Sequence, residues 1–342
     1  MPNHSKVLLT GVNGFLGLHT TIQLLNHGYR VLGTLRNLNR AHEIEKLISK
    51  HVSNEVQLRI AEAHLTDENV WHDLMKGIDY VLHIASPFPS VLPKHEDELV
   101  KPAKNGTLNV LNAATENGIQ RVVMTSSSGA IIYGKEKSKR SGTYTENDWT
   151  DLTYKKDTTP YYRSKTIAEK AAWDFIHRDN RGLELSTICP GAMLGPVLSK
   201  DLSASINIVK KTMDGSSPSV PKIGYDIVDV RSVADLHIQV MEMKEAAGER
   251  FIGSAGYLTF KQVADILHEK YPDRKIPKSK LPNFAVKIIS NFEKTLKPLL
   301  LDLDVERKLD NSKAKKVMNW EPISSKEAVL SCAASLIDLD LL

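Results

Sequence analysis

The feature that most restricts the fold of this chain is a glycine-spaced turn near its beginning. A short apolar run over residues 6–10 leads into Thr10-Gly11-Val12-Asn13-Gly14-Phe15-Leu16-Gly17, and residues 15–27 then have the apolar spacing of a helix closed by Gly28. The glycines at 11, 14 and 17 are spaced one residue wider than the usual G-x-G-x-x-G of a dinucleotide-binding turn. A strand, this turn and a helix in succession predict the first half of a βαβ unit.

Each glycine of the turn has a separate physical role. Gly11 permits a tight turn, Gly14 lets the backbone approach a pyrophosphate, and Gly17 lets the helix pack close to the sheet. The free N–H groups of the helix N-terminus favour phosphate. A purely structural turn is the alternative, but the position between a strand and a helix favours a cofactor site. The residues predicted to contact the cofactor here are Gly11, Asn13, Gly14, Phe15, Leu16 and Gly17.

Strands and helices alternate along the first half of the chain. Apolar runs end near residues 35, 61, 84, 125 and 189, and helical spacing fills 41–51, 96–117 and 164–178. Strands this apolar, separated by helices, indicate an α/β fold of the Rossmann type, with a doubly wound parallel sheet. We predict a cofactor-binding domain over 1–190, to which 226–254 returns. A smaller, mostly helical substrate lobe over 191–342 follows, with a loop or lid at 215–224.

Composition excludes several other kinds of protein. Apolar residues make up 41% and charged residues 25% of the chain, enough for a sizeable core. The net charge of +4 is scattered, and the densest run, 135–140, is a short mixed-sign segment typical of a solvated loop. No apolar run has the length of a membrane span. Two distant cysteines, Cys189 and Cys332, and no clustered Cys or His ligands predict a cytoplasmic chain without a metal site.

The end of the second strand indicates which dinucleotide is bound. An NAD site usually places Asp or Glu there for the ribose 2′-hydroxyl, whereas Arg accommodates a 2′-phosphate. This chain has Arg36 there, Arg40 four residues later, and no acid before Glu43. Ordinary surface arginines are the alternative. The pattern favours NADPH/NADP⁺, which makes 1–190 an NADP-binding Rossmann domain.

A tyrosine and a lysine four residues apart supply the chemistry. Tyr161 and Lys165 lie near the start of a predicted helix and share one face of it. Reduction of a carbonyl needs a proton donor for the nascent alkoxide, and a nearby ammonium lowers the pKa of a phenol, ordinarily about 10. Alone, this spacing is a frequent accident in helices. In a Rossmann context it predicts Tyr161 as the acid and Lys165 as the group that tunes it and holds the nicotinamide ribose.

A run of serines follows the fifth strand. Ser126, Ser127 and Ser128 lie at the carboxyl end of a parallel strand, where ligands bind, and one hydroxyl there can orient a substrate carbonyl. Structural hydrogen bonds to neighbouring backbone are the alternative. A nucleophilic serine fits poorly, because Thr125 stands where a Gly-x-Ser-x-Gly elbow needs its first glycine.

The glycine turn, the serines and the Tyr161-to-Lys165 segment, in that order, resemble the extended short-chain dehydrogenase/reductases. Within them the chain is similar to the dihydroflavonol-4-reductase-like group, which includes a yeast methylglyoxal/ketone reductase. Matching segments continue at 83–88, 102–107, 168–173, 229–234 and 311–314. The resemblance implies Ser127 as the third catalytic residue, Arg36 on the 2′-phosphate and Pro190 beside the nicotinamide. Further predicted contacts are His64, Leu65, Ala85 and Ser86 for the cofactor, and Phe88, Ile131, Tyr162 and Met193 for the substrate pocket.

Two positions depart from the family pattern. The family usually has an acid in the loop after strand three that touches the adenine. Here the matching stretch, 63–67, offers His64, so either His64 substitutes or the contact is absent. Plant flavonoid reductases carry an asparagine near the position of Ile131 and Ile132. An apolar wall there suits hydrophobic ketones better than polyhydroxylated flavonoids.

Together these features predict an NADPH-dependent carbonyl reductase that converts aldehydes or ketones to alcohols by hydride transfer. The nearest alternative is an NAD-dependent nucleotide-sugar epimerase or dehydratase, which Arg36 disfavours. A non-catalytic NADP-binding sensor is another, which Tyr161 and Lys165 together disfavour. We expect a small-molecule carbonyl substrate, no nucleic-acid or membrane partner, and a monomer or homodimer. The physiological substrate and the stereochemistry of the product stay open.

Overall fold

The computed structural model of the protein describes residues 5–53, 55–87, 95–216, 218–292 and 294–342. The strands in this part of the chain are β1 (Lys6–Thr10), β2 (Arg30–Leu35), β3 (Leu58–Glu62), β4 (Tyr80–His83), β5 (Arg121–Thr125), β6 (Gly142–Tyr144), β7 (Glu184–Pro190), β8 (Ala192–Leu194), β9 (Ser219–Val220), β10 (Gly224–Asp229), β11 (Arg250–Gly253), β12 (Tyr257–Thr259), β13 (Ser279–Lys280) and β14 (Arg307–Leu309). The α-helices are α1 (Phe15–Asn26), α2 (Ala41–Ser49), α3 (Glu68–Leu74), α4 (Asp97–Glu116), α5 (Pro160–Arg178), α6 (Asn207–Met213), α7 (Val230–Glu242), α8 (Phe260–Lys270), α9 (Asn283–Phe292), α10 (Ser312–Met318) and α11 (Ser325–Asp338).

Seven parallel strands form the central sheet. Their spatial order is β11-β7-β5-β4-β1-β2-β3. The chain therefore builds outward from β1 to one edge, returns to β4, and builds to the other edge. This confirms the predicted doubly wound Rossmann sheet, whose order reverses between β1 and β4. Ligands of such sheets bind at the carboxyl ends of the strands on either side of that reversal.

Alternate residues of β1 pack against different helical layers. Val7 and Leu9 belong to the apolar cluster that includes residues of α1 and α7. Leu8, between them, belongs to the cluster of the other face, which includes residues of α3, α4 and α5. Because a strand points successive side chains to opposite faces, a run apolar at every position is buried on both sides. Val7, Leu8 and Leu9 are each 0% exposed.

The C-terminal part adds helices and short sheets around a third apolar cluster. Strands β12, β10 and β8 form one small sheet, β13 pairs with β9, and β14 pairs with β6. Strand β11 instead lies at the edge of the central sheet, beside β7. Segment 215–224, predicted as a loop or lid, contains β9 and ends where β10 begins. The division of the chain at residue 190 stays a prediction. None of the helices within the described ranges is long and apolar enough to cross a membrane.

Helix α5 begins one turn earlier than the sequence pattern indicates, at Pro160 rather than at 164. The hydroxyl of Thr159 accepts the backbone N–H of Tyr162, and Pro160 occupies the first helical position. A threonine cap followed by proline is a strong start signal for a helix, because the proline lacks an N–H that would have no partner there. Tyr161 and Lys165 therefore both lie on α5, as their four-residue spacing predicts.

One buried carboxylate connects this helix to the sheet. Glu169 of α5 is 0% exposed, and its oxygens accept hydrogen bonds from Ser126 at 2.6 Å, from Thr187 at 2.8 Å and from the Nε of Arg250 at 2.8 Å. These partners come from the end of β5, from β7 and from β11. A buried charge is tolerated only when it is paired and hydrogen-bonded. Glu169 therefore fixes α5 against three strands of the sheet.

Arg250 completes this cluster from the edge strand. Its guanidinium lies 3.7 Å from the ring centroid of Trp149, and donates to the backbone carbonyls of Glu146 and Asp148. Its charge is therefore satisfied on every side by an aromatic face, two carbonyls and the carboxylate of Glu169. The loop before α5 is held to the edge of the sheet in the same way.

We expect Arg250→Met to lower the free energy of unfolding by about 3–5 kcal/mol, because it leaves the carboxylate of Glu169 buried without its counter-charge. Urea unfolding followed by circular dichroism measures the change. Lys326→Met is the control: it breaks an exposed pair with Glu269 at 3.1 Å and should cost no more than about 1 kcal/mol. A loss in Arg250→Met as small as in the control would show that the buried pair does not hold α5 to the sheet.

Candidate active site

The glycine turn is closed by backbone hydrogen bonds, and the glycines at 11 and 17 lie where a side chain would be strained or would clash. The N–H groups of Gly11 and Val12 both donate to the carbonyl of Thr34 at 3.0 Å, and Gly11 has a φ of +77°. A Cβ on Gly17 would lie 2.1 Å from the carbonyl oxygen of Gly11. The close approach of helix α1 to the turn therefore depends on glycine at 17, as the sequence predicts.

Helix α1 begins directly after this turn. Gly14 occupies its N-cap position, where no side chain caps the helix. The N–H of Leu18 donates to the carbonyl of Gly14 at 2.9 Å. The amides of 15–17 precede that first helical hydrogen bond, and with the helix dipole they form a place for a phosphate. Asn13 and Phe15 are half-buried, whereas the side chain of Leu16 is buried in the core. Leu16 thus has only its backbone to offer a ligand.

Hydrogen bonds join the carboxyl ends of β1 and β4, where the strand order reverses. The hydroxyl of Thr10 lies 3.0 Å from His83 Nδ1 and accepts the N–H of Ala85 at 2.9 Å. Burial lowers the pKa of His83 to about 3, so its ring is neutral and structural. A Cβ on Gly11 would approach the Cβ of Ala85 to 3.1 Å. Ala85 therefore lies against the turn, and Ser86, half-buried, follows it.

The predicted adenine-side residues have different surroundings. Arg36 is exposed and, among the described residues, has no hydrogen-bond or ion-pair partner. Arg40 is engaged by two carboxylates, Glu43 at 3.3 Å and Asp201 at 2.6 Å. His64 is exposed, with its Nε2 4.0 Å from Glu62. Arg36 is thus the arginine left available for a 2′-phosphate.

Leu65, the neighbour of His64, packs on helix α4. Its carbonyl accepts the side-chain amide of Asn109 at 3.1 Å, and a Cβ on Gly106 would lie 2.8 Å from the Cβ of Leu65. These contacts hold the loop after β3 in place. Its cofactor contact stays a prediction.

The three predicted catalytic residues converge at the carboxyl end of β5. The hydroxyls of Ser127 and Tyr161 are hydrogen-bonded to each other. Ser127 Oγ also accepts the N–H of Gly129 at 3.0 Å, which orients it. Lys165 is 5% exposed, and its Nζ lies 3.5 Å from the carbonyl of Thr125. The glycine turn and this triad lie at the same edge of the sheet.

Burial dominates the titration of this site. It raises the pKa of Tyr161 to about 12, with the hydrogen bond from Ser127 acting in the opposite direction. It lowers the pKa of Lys165 to about 8. The pKa of Tyr161 is thus raised, rather than lowered as the sequence led us to expect, because removal of the phenol from water outweighs the hydrogen bond of Ser127. Tyr161 is protonated at neutral pH and can act as an acid.

The predicted substrate-pocket residues are not all at the surface. Phe88 lies outside the described residues. Ile131 is 0% exposed and packs inside an interior cluster with Ile132, so it presents no surface to a ligand here. Met193 and Tyr162 are half-buried. Pro190 ends β7 beside Gly253 of β11.

Sequence reasoning missed the residues that hold the triad in place. Glu169 was identifiable by spacing, because it follows Lys165 by four residues and Tyr161 by eight on one helix face. Its partner Arg250 comes from 81 residues later, and no local signal joins the two. No local signal indicates either that Tyr133 and Tyr225 both donate hydrogen bonds to Asp302, which lies 169 and 77 residues from them in the sequence.

Comparisons with known proteins agree with this geometry. Residues 7–252 match the model of the NAD dependent epimerase/dehydratase family. The chain is 30% identical to the NADPH-dependent methylglyoxal reductase GRE2 of Saccharomyces cerevisiae, over 98% of this chain and 99% of that one. It is 30% identical to the dihydroflavonol 4-reductase of Zea mays, over 79% and 76% of the two chains.

Solved structures give the same result for the fold. Yeast methylglyoxal/isovaleraldehyde reductase Gre2, complexed with NADPH, superimposes with a TM-score of 0.82 over 98% of this chain and 100% of that chain, at 27% identity. Gre2 from Candida albicans gives a TM-score of 0.80 at 28% identity. Since the family model covers most of the chain and the match to GRE2 spans 98% of it, the protein belongs to the NAD dependent epimerase/dehydratase family of extended short-chain dehydrogenase/reductases.

Proposed function

We propose that this protein is an NADPH-dependent carbonyl reductase that reduces a small aldehyde or ketone to an alcohol. The observation that carries the proposal is the hydrogen-bonded Ser127–Tyr161 pair, with buried Lys165 on the same helix, at the sheet edge that also holds the glycine turn. The relative GRE2 is an NADPH-dependent methylglyoxal reductase, and the superimposable yeast structure contains NADPH.

The residues of the turn fit a dinucleotide. Glycine at 11 and 17 lets the turn and helix α1 approach each other and Ala85 closely, and the amides of 15–17 suit a pyrophosphate. Arg36 is free to meet a 2′-phosphate, Lys165 to hold the nicotinamide ribose, and Pro190 to pack beside the nicotinamide. When bound, the cofactor supplies the hydride.

The protein's own groups then control the carbonyl oxygen. Ser127 donates a hydrogen bond that orients the carbonyl, and Tyr161 donates its phenolic proton to the oxygen as negative charge develops there. An alkoxide is a stronger base than a phenolate, so this transfer is favourable even though the pKa of Tyr161 is about 12. The positive charge of Lys165 stabilises the phenolate that remains.

The alternatives differ from this proposal at specific residues. An epimerase or dehydratase of nucleotide sugars would use the same triad on retained NAD, and Arg36 stands where such a site has an acid. A superimposable protein in complex with UDP-glucuronic acid and NAD is only 19% identical and shares the fold alone. A non-catalytic NADP-binding sensor would not need the Ser127–Tyr161 pair, and a turnover assay separates it from an enzyme.

We also propose an apolar or aromatic carbonyl substrate, a cytoplasmic location and a monomer or homodimer. Of the apolar residues predicted for the pocket or its wall, Met193 is half-buried, whereas Ile131 and Ile132 are buried in the core. Met193 therefore supports the substrate preference. Cys189 and Cys332 are both free thiols, which fits a reducing compartment.

We expect Tyr161→Phe to lower kcat for carbonyl reduction by about 10²–10⁴, because the ring still packs but has no proton to donate. The dissociation constant for NADPH, measured by fluorescence titration, should stay close to that of the wild type. Tyr271→Phe is the control, since Tyr271 packs in the C-terminal cluster away from the triad. Near-wild-type turnover of Tyr161→Phe at saturating substrate would contradict the assignment.

We expect a preference for NADPH over NADH of at least about tenfold in kcat/KM, because a hydrogen bond to a charged group contributes about 1.5–3 kcal/mol. Arg36→Asp should weaken NADPH binding and narrow or reverse this preference, since it replaces the cation with a like charge to the phosphate. Steady-state kinetics with both cofactors is the measurement. Arg59→Asp makes the same charge change at another exposed site on the neighbouring strand β3 and should leave the preference unchanged. Equal kcat/KM for both cofactors in the wild type would contradict the proposed contact of Arg36 with the 2′-phosphate.

A further inference from the structure

Asp302 is a buried carboxylate in the C-terminal part that the reduction mechanism does not use. It is 2% exposed and lies between the 3-10 helix Lys294–Leu301 and β14. Its Oδ2 accepts hydrogen bonds from the hydroxyls of Tyr133 at 3.1 Å and Tyr225 at 3.2 Å. Its Oδ1 accepts the Nε of Arg307 at 3.2 Å. Both oxygens are therefore engaged by groups from separate elements.

Arg307 is shared with a second buried carboxylate. Its guanidinium also donates to Asp157 at 2.6 Å and lies 4.5 Å from the ring centroid of Tyr133. Asp157 in turn pairs with Arg140 at 3.0 Å. Two carboxylates and two guanidiniums thus balance in charge, and of the two carboxylates Asp302 is the one that accepts hydrogen bonds from tyrosine hydroxyls.

Tyr133 connects Asp302 to the active site. Its ring stacks on that of Tyr162 with centroids 3.8 Å apart and planes 11° from parallel, and the two hydroxyls lie 3.0 Å apart. Tyr162 meets Tyr161 edge to face at 5.8 Å. A Cβ on Gly129 would lie 2.5 Å from the ring of Tyr162 and 3.3 Å from the hydroxyl of Ser127. The ring of Tyr162 therefore packs against Tyr161 and against Gly129, which lies next to the hydroxyl of Ser127.

The number of hydroxyl protons determines the direction of the hydrogen bonds that link Tyr162, Tyr133 and Asp302. The hydroxyl of Tyr133 is within hydrogen-bonding distance of Tyr162 and of Asp302 but carries one proton. An ionised carboxylate only accepts, so Tyr133 donates to Asp302 and accepts from Tyr162. When Asp302 is protonated, Tyr133 is free to donate its proton to Tyr162 instead, and the direction of the hydrogen bond between the two tyrosines can reverse. The charge of Asp302 thus sets the orientation of the Tyr162 hydroxyl.

We propose that Asp302 is a positioning residue for the reduction proposed above, and that it acts through Tyr133 to hold Tyr162 against Tyr161. The inference rests on that proposed function. The groups that face Asp302 are Tyr133 from the loop after β5, Tyr225 from β10 and Arg307 from β14, with Tyr162, Asp157 and Tyr257 behind them. Burial raises the pKa of Asp302 to about 6, with Arg307 and the tyrosine hydroxyls opposing. The carboxylate is therefore ionised above that pH and loses its charge as the pH falls through it.

Asp302→Asn should lower kcat/KM at pH 7.5 by about tenfold, the effect of losing one oriented hydrogen bond. The dissociation constant for NADPH should not change. In the wild type kcat/KM should fall as the pH falls through about 6, and the difference between wild type and variant should shrink there. Asp157→Asn is the matched control, because it also removes a buried partner of Arg307 but no bond to a tyrosine. It should keep the wild-type pH profile.

A double-mutant cycle separates positioning from general loss of structure. If Asp302 acts through Tyr133, then Tyr133→Phe alone should reproduce the loss, and adding Asp302→Asn should cost nothing more. Tyr133→Phe keeps the stacked ring, so it tests the proposal even if Asp302→Asn does not fold. Additive losses, or a Tyr133→Phe enzyme with wild-type kcat/KM and pH profile, would overturn the inference.

A measurement without turnover distinguishes this inference from the proposed function. In the protein without cofactor, the NMR ring signals of labelled Tyr162 should titrate with a midpoint near pH 6 in the wild type and in Asp157→Asn. They should not titrate in Tyr133→Phe. Absence of that titration in the wild type would overturn the role of Asp302 whatever the enzyme reduces, whereas an inactive wild type would contradict only the proposed function.

Discussion

The buried ion pair between Glu169 and Arg250 is the interaction on which the active-site edge of the sheet depends. A carboxylate with no exposure has to be met by donors on every side, since leaving one lone pair unmatched costs much of what burial of a side chain contributes. Here the donors come from the ends of β5, β7 and β11. Satisfying one charge therefore fixes the relative positions of three strands and helix α5.

That arrangement explains how a flexible set of side chains becomes a site. Tyr161, Lys165 and Glu169 occupy successive turns of one helix face, so the residue that is fully paired holds the two that must react. Ser126, a partner of Glu169, is the chain neighbour of Ser127. The hydrogen bond between Ser127 and Tyr161 is thus supported from both sides by the same carboxylate. The side chains proposed to react lie at the carboxyl edge of the sheet, and Glu169 lies one turn further along α5 than Lys165.

Desolvation is the common cause of the electrostatics in this protein. It raises the pKa of Tyr161, moves the pKa of Lys165 down to about 8 and holds His83 neutral. In the C-terminal part it raises the pKa of Asp302 toward the physiological range. Tyrosine hydroxyls link Asp302 in the C-terminal part to the active site, and the direction of one of their hydrogen bonds can set the direction of the next.

The sequence by itself determined the features that depend on neighbours along the chain. The glycine turn, the apolar strands, the Tyr161–Lys165 spacing and the serines after β5 are local patterns, and the structure confirms the Rossmann sheet that they predict. Only the tertiary structure decided which side chains are available. It engages Arg40 with Asp201, places Ile131 in the core, and raises rather than lowers the pKa of Tyr161. These outcomes depend on burial and on partners tens to hundreds of residues away, which spacing along the chain does not encode.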